Sequence, residues 1–476
     1  MKDSKLVGLL STLQKKEQVR LLKFLASPYH NVDLRLWSLA NALFSPAGSM
    51  EKQDVWKAIF PDRPFEDLFL RRLASELLEL VVKFLTLEQF AESQAQQQVE
   101  LLKTLREREV PALYEFFYRK AMRSELSHTD PSNPALDRNQ LLNSRALLDD
   151  YLLEAERNAW LERSANRSGV TNLDASVASL DRFYLFNKLK YACTRLNNRN
   201  VMGGDFQDPL IEGLLKQLPT SHYAEDPAVL IYFRIYQMLS RPEENEHYPL
   251  LRKQLSQFAL EFTLDEARHL YAFAMNYCIG RINAGEGTYL REIFDLYKES
   301  LERKVLLEGD SLSPWDYKNI VVVGLRLSEF EWVESFIRSY KDRIPVEHRE
   351  NAFTYNLAKL HFYEKHYSEV LKLLQKLEYE DVFYNLDAKV MLLKIYFELH
   401  EIDALDSLIE SFRTFLRRNK LISASHRTNY LNLILFVKKL SRVGYGDHKR
   451  IAKIRADFEA TRQIADADWL REKLGG

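Results

Sequence analysis

The segment HFYEKH, His361 to His366, is the first candidate for chemistry because it combines two histidines with a glutamate. Imidazole and carboxylate groups are common ligands of Zn²⁺. On one continuous helix, however, a separation of five residues places two side chains about 140° apart, at roughly 100° per residue. The two histidines would then point in different directions and could not bind one ion. We therefore interpret the segment as a repeat helix followed by its turn.

The spacing E-x-x-H occurs twice, at Glu244/His247 and at Glu266/His269. A di-iron carboxylate bundle uses two such pairs together with further glutamates from long helices. The first pair lies in RPEENEHYP, between two prolines, where a continuous inward-facing helix is not expected. A helical protein also supplies such pairs incidentally, and this is the favoured interpretation. The sequence predicts no metal site and no other cofactor.

The remaining candidates for chemistry are four acidic residues within a predicted helix: Asp149, Asp150, Glu154 and Glu156. They are interpreted as a solvated helix face and not as paired catalytic carboxylates. The sequence also lacks a phosphate-binding loop, a G-x-G-x-x-G pattern, a G-x-S-x-G elbow and an H-E-x-x-H motif. No catalytic residue is predicted, and the protein is expected not to be an enzyme.

The composition is typical of a folded helical protein. Of the 476 residues, 46% are hydrophobic and 28% are charged, which excludes a disordered or collagen-like chain. The 15 glycines and 14 prolines are few, so few positions are expected to need a turn or a left-handed backbone. Cys193 and Cys278 do not suggest a disulfide framework or a zinc module and fit a reducing compartment. Because no stretch approaches the roughly 18 apolar residues of a membrane span, we expect a cytoplasmic protein without membrane contact.

Apolar residues recur every three to four positions throughout the chain, which predicts an all-α fold with about two thirds or more of the residues in helices. The best strand candidate, 319–327, lies among helices and is predicted to be helical. The polar segment 91–98 is expected to be a thinly packed connection between helices. Segment 127–137, rich in proline and small polar residues, is predicted to be a linker. The predicted domains are an N-terminal helical domain (1–127), a central helical domain (138–308) and C-terminal helical hairpins (309–476).

After Gly309 the sequence repeats weakly. Val333, Val370 and Leu405 share one pattern of apolar neighbours, with offsets of 37 and 35 residues. An apolar residue of a preceding helix lies thirteen positions before each of them. A period in this range indicates stacked helix pairs, and each pair needs a neighbour to bury its apolar face. Val333, Val370 and Leu405 are therefore predicted to be buried at equivalent helix crossings.

These repeats, over residues 314–420, resemble tetratricopeptide repeats, which are helix-turn-helix units of 34 residues. Ala358 occupies the first small position of that family, and Pro345 its terminal proline. Larger residues, Val333, Val370 and Leu405, replace the alanine that the family prefers. The resemblance implies an α-solenoid, a curved helical-hairpin array whose first helices line a concave groove for peptides or partner proteins.

Carried over position by position, the resemblance implies a groove lined by Lys318, Asn319, Arg326, Tyr355, Asn356, Lys359 and Lys394. Four of these seven residues are cationic, which suits an acidic or carboxylate-bearing segment of a partner. The alternative is that Asp387 and Glu398 pair with these lysines at the surface, where ion pairs contribute little.

The chain is nearly neutral, with 67 basic and 68 acidic residues, but its charge is unevenly distributed. Residues 413–455 contain twelve lysines and arginines and one acid, Asp447. The predicted basic surface consists of Arg413, Arg417, Arg418, Lys420, Lys438, Lys439, Arg442, Lys449 and Arg450. One interpretation is a solvated face, or a face that contacts the acidic remainder of the chain. The alternative is that it binds nucleic acid or an acidic protein.

The sequence thus predicts a non-enzymatic scaffold or adaptor that binds protein partners through a helical-repeat groove. The alternative is a nucleic-acid-associated protein that uses the basic segment 413–455.

Overall fold

A computed structural model describes residues 4–45, 51–126, 142–164, 171–198, 208–375, 382–444 and 447–475. Within these ranges 79% of the residues are helical, and 23 α-helices pack mostly against their neighbours in sequence. The prediction of an all-α fold is confirmed. The chain divides into two compact units, Met1–Glu266 and Ala267–Gly476. The predicted linker at 127–137 lies outside the described residues, and the predicted boundary at 308–309 falls inside the second unit.

The helices of the first unit are α1 (Lys5–Ser11), α2 (Lys15–Ala26), α3 (Leu34–Phe44), α4 (Lys52–Ile59), α5 (Asp67–Glu92), α6 (Gln94–Glu107), α7 (Pro111–Leu126), α8 (Ser144–Ser164), α9 (Leu173–Asn197), α10 (Pro209–Gln217), α11 (Pro227–Ser240) and α12 (His247–Phe258). Short 3₁₀ helices occupy Leu218–Thr220, His222–Glu225 and Ala259–Glu261. None of the helices in the described ranges of the chain is long and apolar enough to cross a bilayer.

Local sequence signals explain where several of these helices begin. The Asp33 side chain accepts a 2.9 Å hydrogen bond from the backbone amide of Arg35 and so caps α3. Asp208 and Asp226 cap α10 and α11 in the same way, and each is followed by a proline, which is preorganised for the first turn. The leucine-rich faces of α1, α2, α3 and α5 then meet in one buried cluster.

The polar segment 91–98 joins two helices and contains no buried residue, which fits the expected thin packing, but it is almost entirely helical. Helix α5 extends through Glu92 and α6 begins at Gln94, so only Ser93 interrupts the helical backbone. The Ser93 hydroxyl accepts a 3.4 Å hydrogen bond from the backbone amide of Gln96. Polar helix formers without a breaker therefore continue the helix after a single capping residue.

The acidic residues of α8 do not form a solvated face, so that interpretation is wrong. Asp149 and Glu156 are both buried, and Glu156 is only 8% exposed. Arg106 of α6 donates to the two carboxylate oxygens of Glu156 at 2.6 and 3.1 Å. Arg145 lies 2.7 Å from the carboxylate of Asp149. These arginines supply the charge and hydrogen bonds that a buried carboxylate needs.

The second unit contains most of α13 (Leu264–Asn283), followed by α14 (Tyr289–Glu302), strands β1 (Leu307–Glu308) and β2 (Ser311–Leu312), α15 (Pro314–Arg326), α16 (Phe330–Ser339), a 3₁₀ helix (Lys341–Arg343), α17 (Val346–Tyr363), α18 (Tyr367–Leu374), α19 (Val382–Glu398), α20 (Ile402–Arg418), α21 (Ala424–Leu440), α22 (His448–Glu459) and α23 (Ala467–Lys473). The strands form an antiparallel hairpin. Each strand has only two residues, too few for an alternating apolar pattern to be visible in the sequence. Segment 319–327 is helical up to Arg326, as predicted.

The hairpins α15/α16, α17/α18 and α19/α20 share one turn. The residue that follows the C-cap of the first helix has a left-handed backbone in each case: Ser328, Lys365 and His400 have φ angles of 61°, 62° and 57°. The expectation that few positions adopt this conformation was based on the small number of glycines. Such positions are indeed few among the described residues, six with side chains and three glycines, but in these turns residues with side chains occupy them.

Two backbone hydrogen bonds close each of these turns. In α17/α18 the amide of His366 bonds to the carbonyl of His361 at 2.9 Å, and the amide of Lys365 bonds to the carbonyl of Phe362 at 3.1 Å. The same two bonds occur in α15/α16 and α19/α20. This is the Schellman arrangement, which satisfies carbonyls at the end of a helix.

Val333, Val370 and Leu405 are buried, as the repeat spacing predicts. In α15/α16 the close approach depends on Gly324, because a Cβ atom at that position would lie 2.5 Å from Cγ2 of Val333. A small residue on the first helix therefore makes room for valine on the second.

Candidate functional site

Four of the seven predicted groove residues lie near one another in the second unit. Lys318 is on α15, Tyr355 and Lys359 are on α17, and Lys394 is on α19. These are the first helices of three consecutive hairpins. Lys359 and Lys394 occupy equivalent positions, 35 residues apart.

The other three predicted residues have different environments. Asn319 and Arg326 are exposed. Asn356 is fully buried, and its side-chain amide donates a 2.8 Å hydrogen bond to the carbonyl of Ala352, one turn earlier in α17. Asn356 therefore faces the interior of the unit and does not line an open groove.

An aspartate of α19, Asp387, connects the first two helices to the third. Its Oδ2 atom lies 2.6 Å from Nζ of Lys318 and accepts a 2.8 Å hydrogen bond from the Tyr355 hydroxyl. Burial raises the pKa of Asp387, but the charges of Lys359 and Lys318 and these hydrogen bonds lower it more, so the net pKa lies below the ordinary value. The carboxylate is thus held in its charged form.

The alternative that Asp387 and Glu398 pair with the groove lysines holds only for Asp387. Asp387 does pair with Lys318, in a largely buried position. Glu398 instead lies 2.6 Å from Nζ of Lys473.

Lys359, Lys394 and Asp387 line a cavity of about 230 Å³. Asp466 also lines the cavity, and its Oδ2 atom lies 2.7 Å from Nζ of Lys394, which is only 9% exposed. Burial, followed by the charges of Asp387 and Asp466, raises the pKa of Tyr430 in the lining to about 12. Tyr430 therefore offers a neutral hydroxyl at physiological pH. The rest of the lining consists of Phe362, Tyr363, Val390, Met391 and Ala465.

Lys359 differs from the two other lysines because no carboxylate of the described residues lies within ion-pair distance of it. Its Nζ atom lies 3.3 Å from the Tyr355 hydroxyl and 5.8 Å from the centroid of that ring. The cluster then contains the three lysines against Asp387 and Asp466, a net charge of +1. Lys359 and Lys318 both act on the charge of Asp387, so the cluster keeps one positive charge in excess, which favours an anionic ligand.

Asp466 and Tyr430 come from outside the predicted repeats. Asp466 precedes α23 and has a left-handed backbone, with φ of 52°. Its neighbour Ala465 donates a 3.1 Å hydrogen bond to the carbonyl of Asn429, which holds the segment against α21. Both site residues lie beyond 314–420, and we find no pattern in the sequence that indicates either of them.

The predicted basic surface is partly neutralised by acids close to it in the chain. Four of its nine residues form ion pairs: Arg413–Glu410 (3.3 Å), Lys438–Glu410 (3.8 Å), Lys439–Asp457 (2.6 Å) and Arg442–Asp406 (3.7 Å). Asp406 and Glu410 belong to α20, which leads into the basic segment. The charge of this segment is therefore balanced in part within the second unit.

The other five residues of the basic surface are exposed and form no ion pair with the described part of the chain: Arg417, Arg418, Lys420, Lys449 and Arg450. Arg417 and Arg418 lie in the last turn of α20, where the helix dipole favours cations. Lys449 and Arg450 lie in the first turn of α22.

HFYEKH is a repeat helix followed by its turn, as interpreted, but the angle between its two histidines does not follow from a continuous helix. Helix α17 ends at Tyr363, so His361 and His366 do not belong to one continuous helix. The left-handed residue Lys365 reverses the chain. As a result, Oε2 of Glu364 lies 3.1 Å from Nδ1 of His361 and 3.3 Å from Nδ1 of His366. Two imidazoles thus converge on one carboxylate.

The first E-x-x-H pair is in contact, since Nε2 of His247 lies 2.7 Å from Oε2 of Glu244. Helix α12 begins at His247, and Pro249 falls in its first turn. A proline is tolerated there because the amides of the first turn have no acceptor within the helix.

The second pair does not form a matching site. Glu266 is buried in the first unit, where it accepts hydrogen bonds from the Tyr232 hydroxyl and from Nζ of Lys190, the latter at 2.6 Å. His269 is exposed. The two E-x-x-H segments therefore do not provide the equivalent pairs of a di-iron bundle.

No family model matches the chain, and neither a curated protein nor a solved structure does. Its functional interpretation therefore rests on the geometry described above.

Proposed function

We propose that the second unit is a binding module for a partner protein and that the chain acts as a non-enzymatic scaffold or adaptor. The observation that carries the proposal is the cavity, where Lys359 and Lys394 occupy equivalent repeat positions and Lys359 forms no direct ion pair with a described residue. A carboxylate from the partner would gain charge-assisted hydrogen bonds from Lys359. The hydroxyl of Tyr430 supplies a further donor in the same lining.

The repeated hairpins support a module of the tetratricopeptide type. The three hairpins share one turn and bury equivalent residues, and stacked hairpins of this kind present an extended surface. A peptide that follows the first helices would meet the cavity from that surface. The cytoplasm is the compartment that we propose, since neither Cys193 nor Cys278 forms a disulfide bond within the described chain.

The alternative is association with nucleic acid through the basic surface. The observation in its favour is the exposure of Arg417, Arg418 and Lys420, which form no ion pair with described residues. Contacts to phosphate groups depend on such cations and weaken steeply as salt rises.

The test is a quantitative capture experiment from native extract with four forms of the full-length protein. Lys359→Gln removes the cavity lysine that forms no direct ion pair. Lys372→Gln removes an exposed lysine of α18 and is the matched control for charge. A triple variant, Arg417→Gln/Arg418→Gln/Lys420→Gln, changes the basic surface. Captured protein and nucleic acid are both measured, at low and at high salt.

We expect the parent and Lys372→Gln to capture the same partner, and Lys359→Gln to bind it at least about tenfold more weakly, since a hydrogen bond to a charged group is worth about 1.5–3 kcal/mol. Loss of binding only in the triple variant, with nucleic acid in the captured material, would support the alternative. Equal capture by all four forms would contradict the proposal.

A further inference from the structure

The turn between α17 and α18 brings three metal-ligating side chains to one point. Because the amide of His366 bonds to the carbonyl of His361, the two side chains leave the turn close together. Glu364 lies between them. One ligand atom from each of the three residues falls within 4.8 Å of the other two.

The distances in this cluster fit a tetrahedral ion. Bonds of about 2.0–2.2 Å from Zn²⁺ to nitrogen and oxygen place neighbouring ligand atoms about 3.4 Å apart at tetrahedral angles. The carboxylate of Glu364 lies 3.1 and 3.3 Å from the two Nδ1 atoms. The side chain of His366 is 62% exposed, so it can rotate to bring its ligand nitrogen to the same separation from that of His361. The side chains of His361 and Glu364 are 24% and 26% exposed.

The turn itself does not require these residues. The positions of His361, Glu364 and His366 are occupied by Gly324, Leu327 and Glu329 in α15/α16 and by Tyr396, Leu399 and Glu401 in α19/α20. All three turns have the same pair of backbone hydrogen bonds. Closing the hairpin therefore does not explain why only this turn carries two histidines and a glutamate.

We propose that His361, Glu364 and His366 bind a divalent transition-metal ion of the Zn²⁺ class. Imidazole nitrogen with carboxylate oxygen is a common donor set for Zn²⁺ and suits related first-row ions. Three protein ligands leave a fourth position for water or for a donor atom of a bound partner. The ion links the end of α17 to the start of α18, and none of its three ligands lines the lysine cavity.

The experiment uses full-length protein without a histidine tag, stripped with a chelator and titrated with ZnCl₂ in a calorimeter. We expect one ion to bind at this site in the parent. His361→Ala/His366→Ala removes two of the three ligands and should weaken binding by at least about 100-fold. Mutating a residue that only hydrogen-bonds to a metal ligand already lowers metal affinity by about 10–100-fold. Glu364→Gln should weaken it at least about tenfold for the same reason.

The matched control is His269→Ala/His348→Ala, which removes two exposed histidines of the second unit that lie outside the cluster. It should bind Zn²⁺ as the parent does. Circular dichroism verifies that each variant is folded, and Co²⁺ provides a second readout through the visible absorption of a four-coordinate site. A parent that binds no Zn²⁺ at micromolar free ion overturns the proposal. A His361→Ala/His366→Ala variant that keeps the stoichiometry and affinity of the parent also overturns it. The ion would then be bound elsewhere, for example by Glu244, Glu246 and His247.

Discussion

The lysines around Asp387 and Asp466 and the cations of the basic surface belong to the same unit but have different surroundings. Lys318 and Lys394 are largely buried and pair with Asp387 and Asp466. Five residues of the basic surface are exposed and have no such pair within the described chain. A buried cation needs a partner to offset its lost hydration, whereas an exposed one is solvated and screened by salt.

This difference shows that the number of basic residues in a segment measures its charge but not its capacity for specific binding. The segment 413–455 has the larger charge, yet its free cations lie at helix ends, in water. Lys359 combines features of both regions, because it lines a cavity but forms no direct ion pair with a described residue. Substitution of Lys359 therefore best distinguishes binding at the cavity from binding at the basic surface.

The largest effect is expected from breaking the array that positions the cavity. Val370→Asp places a carboxylate in the fully buried core between hairpins, without a partner, and should lower the free energy of unfolding by about 4 kcal/mol or more. Ser368→Asp adds the same group at an exposed position of α18 and should change it by less than about 0.5 kcal/mol. The measurement is the denaturant midpoint of both variants; equal midpoints would show that the assigned register is wrong.

The next largest effect concerns the carboxylate that joins the three helices. Asp387→Asn leaves Lys318 without its charged partner and should lower the free energy of unfolding by about 2–3 kcal/mol at pH 7.

The same variant tests the charge state of Asp387. Its pKa in the folded protein lies below the ordinary value of about 3.9, so its contribution to stability is complete above that value and is lost as the pH falls through the folded pKa. The difference in the free energy of unfolding between the parent and Asp387→Asn should be constant from about pH 7 to 5 and shrink below about pH 4. Unfolding at a series of pH values measures it, and a difference that stays constant into strong acid would contradict the assignment.

A smaller effect is expected at Lys394, whose ammonium faces Asp466 at 2.7 Å. Lys394→Gln keeps much of the side-chain volume but leaves Asp466 without its ion pair. The free energy of unfolding should fall by about 1–2 kcal/mol, because Asp466 is partly exposed and water replaces some of the interaction. Thermal unfolding of this variant, compared with Lys372→Gln, gives the value; an unchanged melting temperature would place Lys394 with the solvated cations.

The smallest effect is expected in the basic surface. Arg418→Gln/Lys420→Gln removes two exposed cations and should change the free energy of unfolding by less than about 0.5 kcal/mol. Chemical denaturation at low and at high salt checks this. A larger loss, strongest at low salt, would mean that these cations do make structural ion pairs and that the contrast with the cavity is not real.

The helical elements were predictable because their signals are local. The apolar period of α3 and the prolines that begin α10 and α11 can be seen in the sequence. The spacing of Val333, Val370 and Leu405 likewise indicated equivalent burial. The shared turn was not predicted, since its left-handed positions are occupied by Ser328, Lys365 and His400 and not by glycine.

The candidate sites were less accessible to sequence reasoning because they depend on contacts between distant residues. Asp466 meets Lys394 from 72 positions away, and Arg106 meets Glu156 from 50 positions away. His361 and His366 are close in sequence, but their convergence depends on the helix ending at Tyr363. A prediction from helical angles alone assumes that the helix continues, and it failed at that residue.

The central claim, that the partner is received by the cavity and not by the basic surface, is tested most directly by site-specific photo-crosslinking. A benzophenone side chain replaces Phe362, which lines the cavity, or Leu421, which is 77% exposed beside Lys420. Both substitutions leave every lysine and arginine in place. The account predicts a crosslinked protein adduct from position 362 and none from 421. An adduct from position 421 alone, with protein or with nucleic acid, would contradict it.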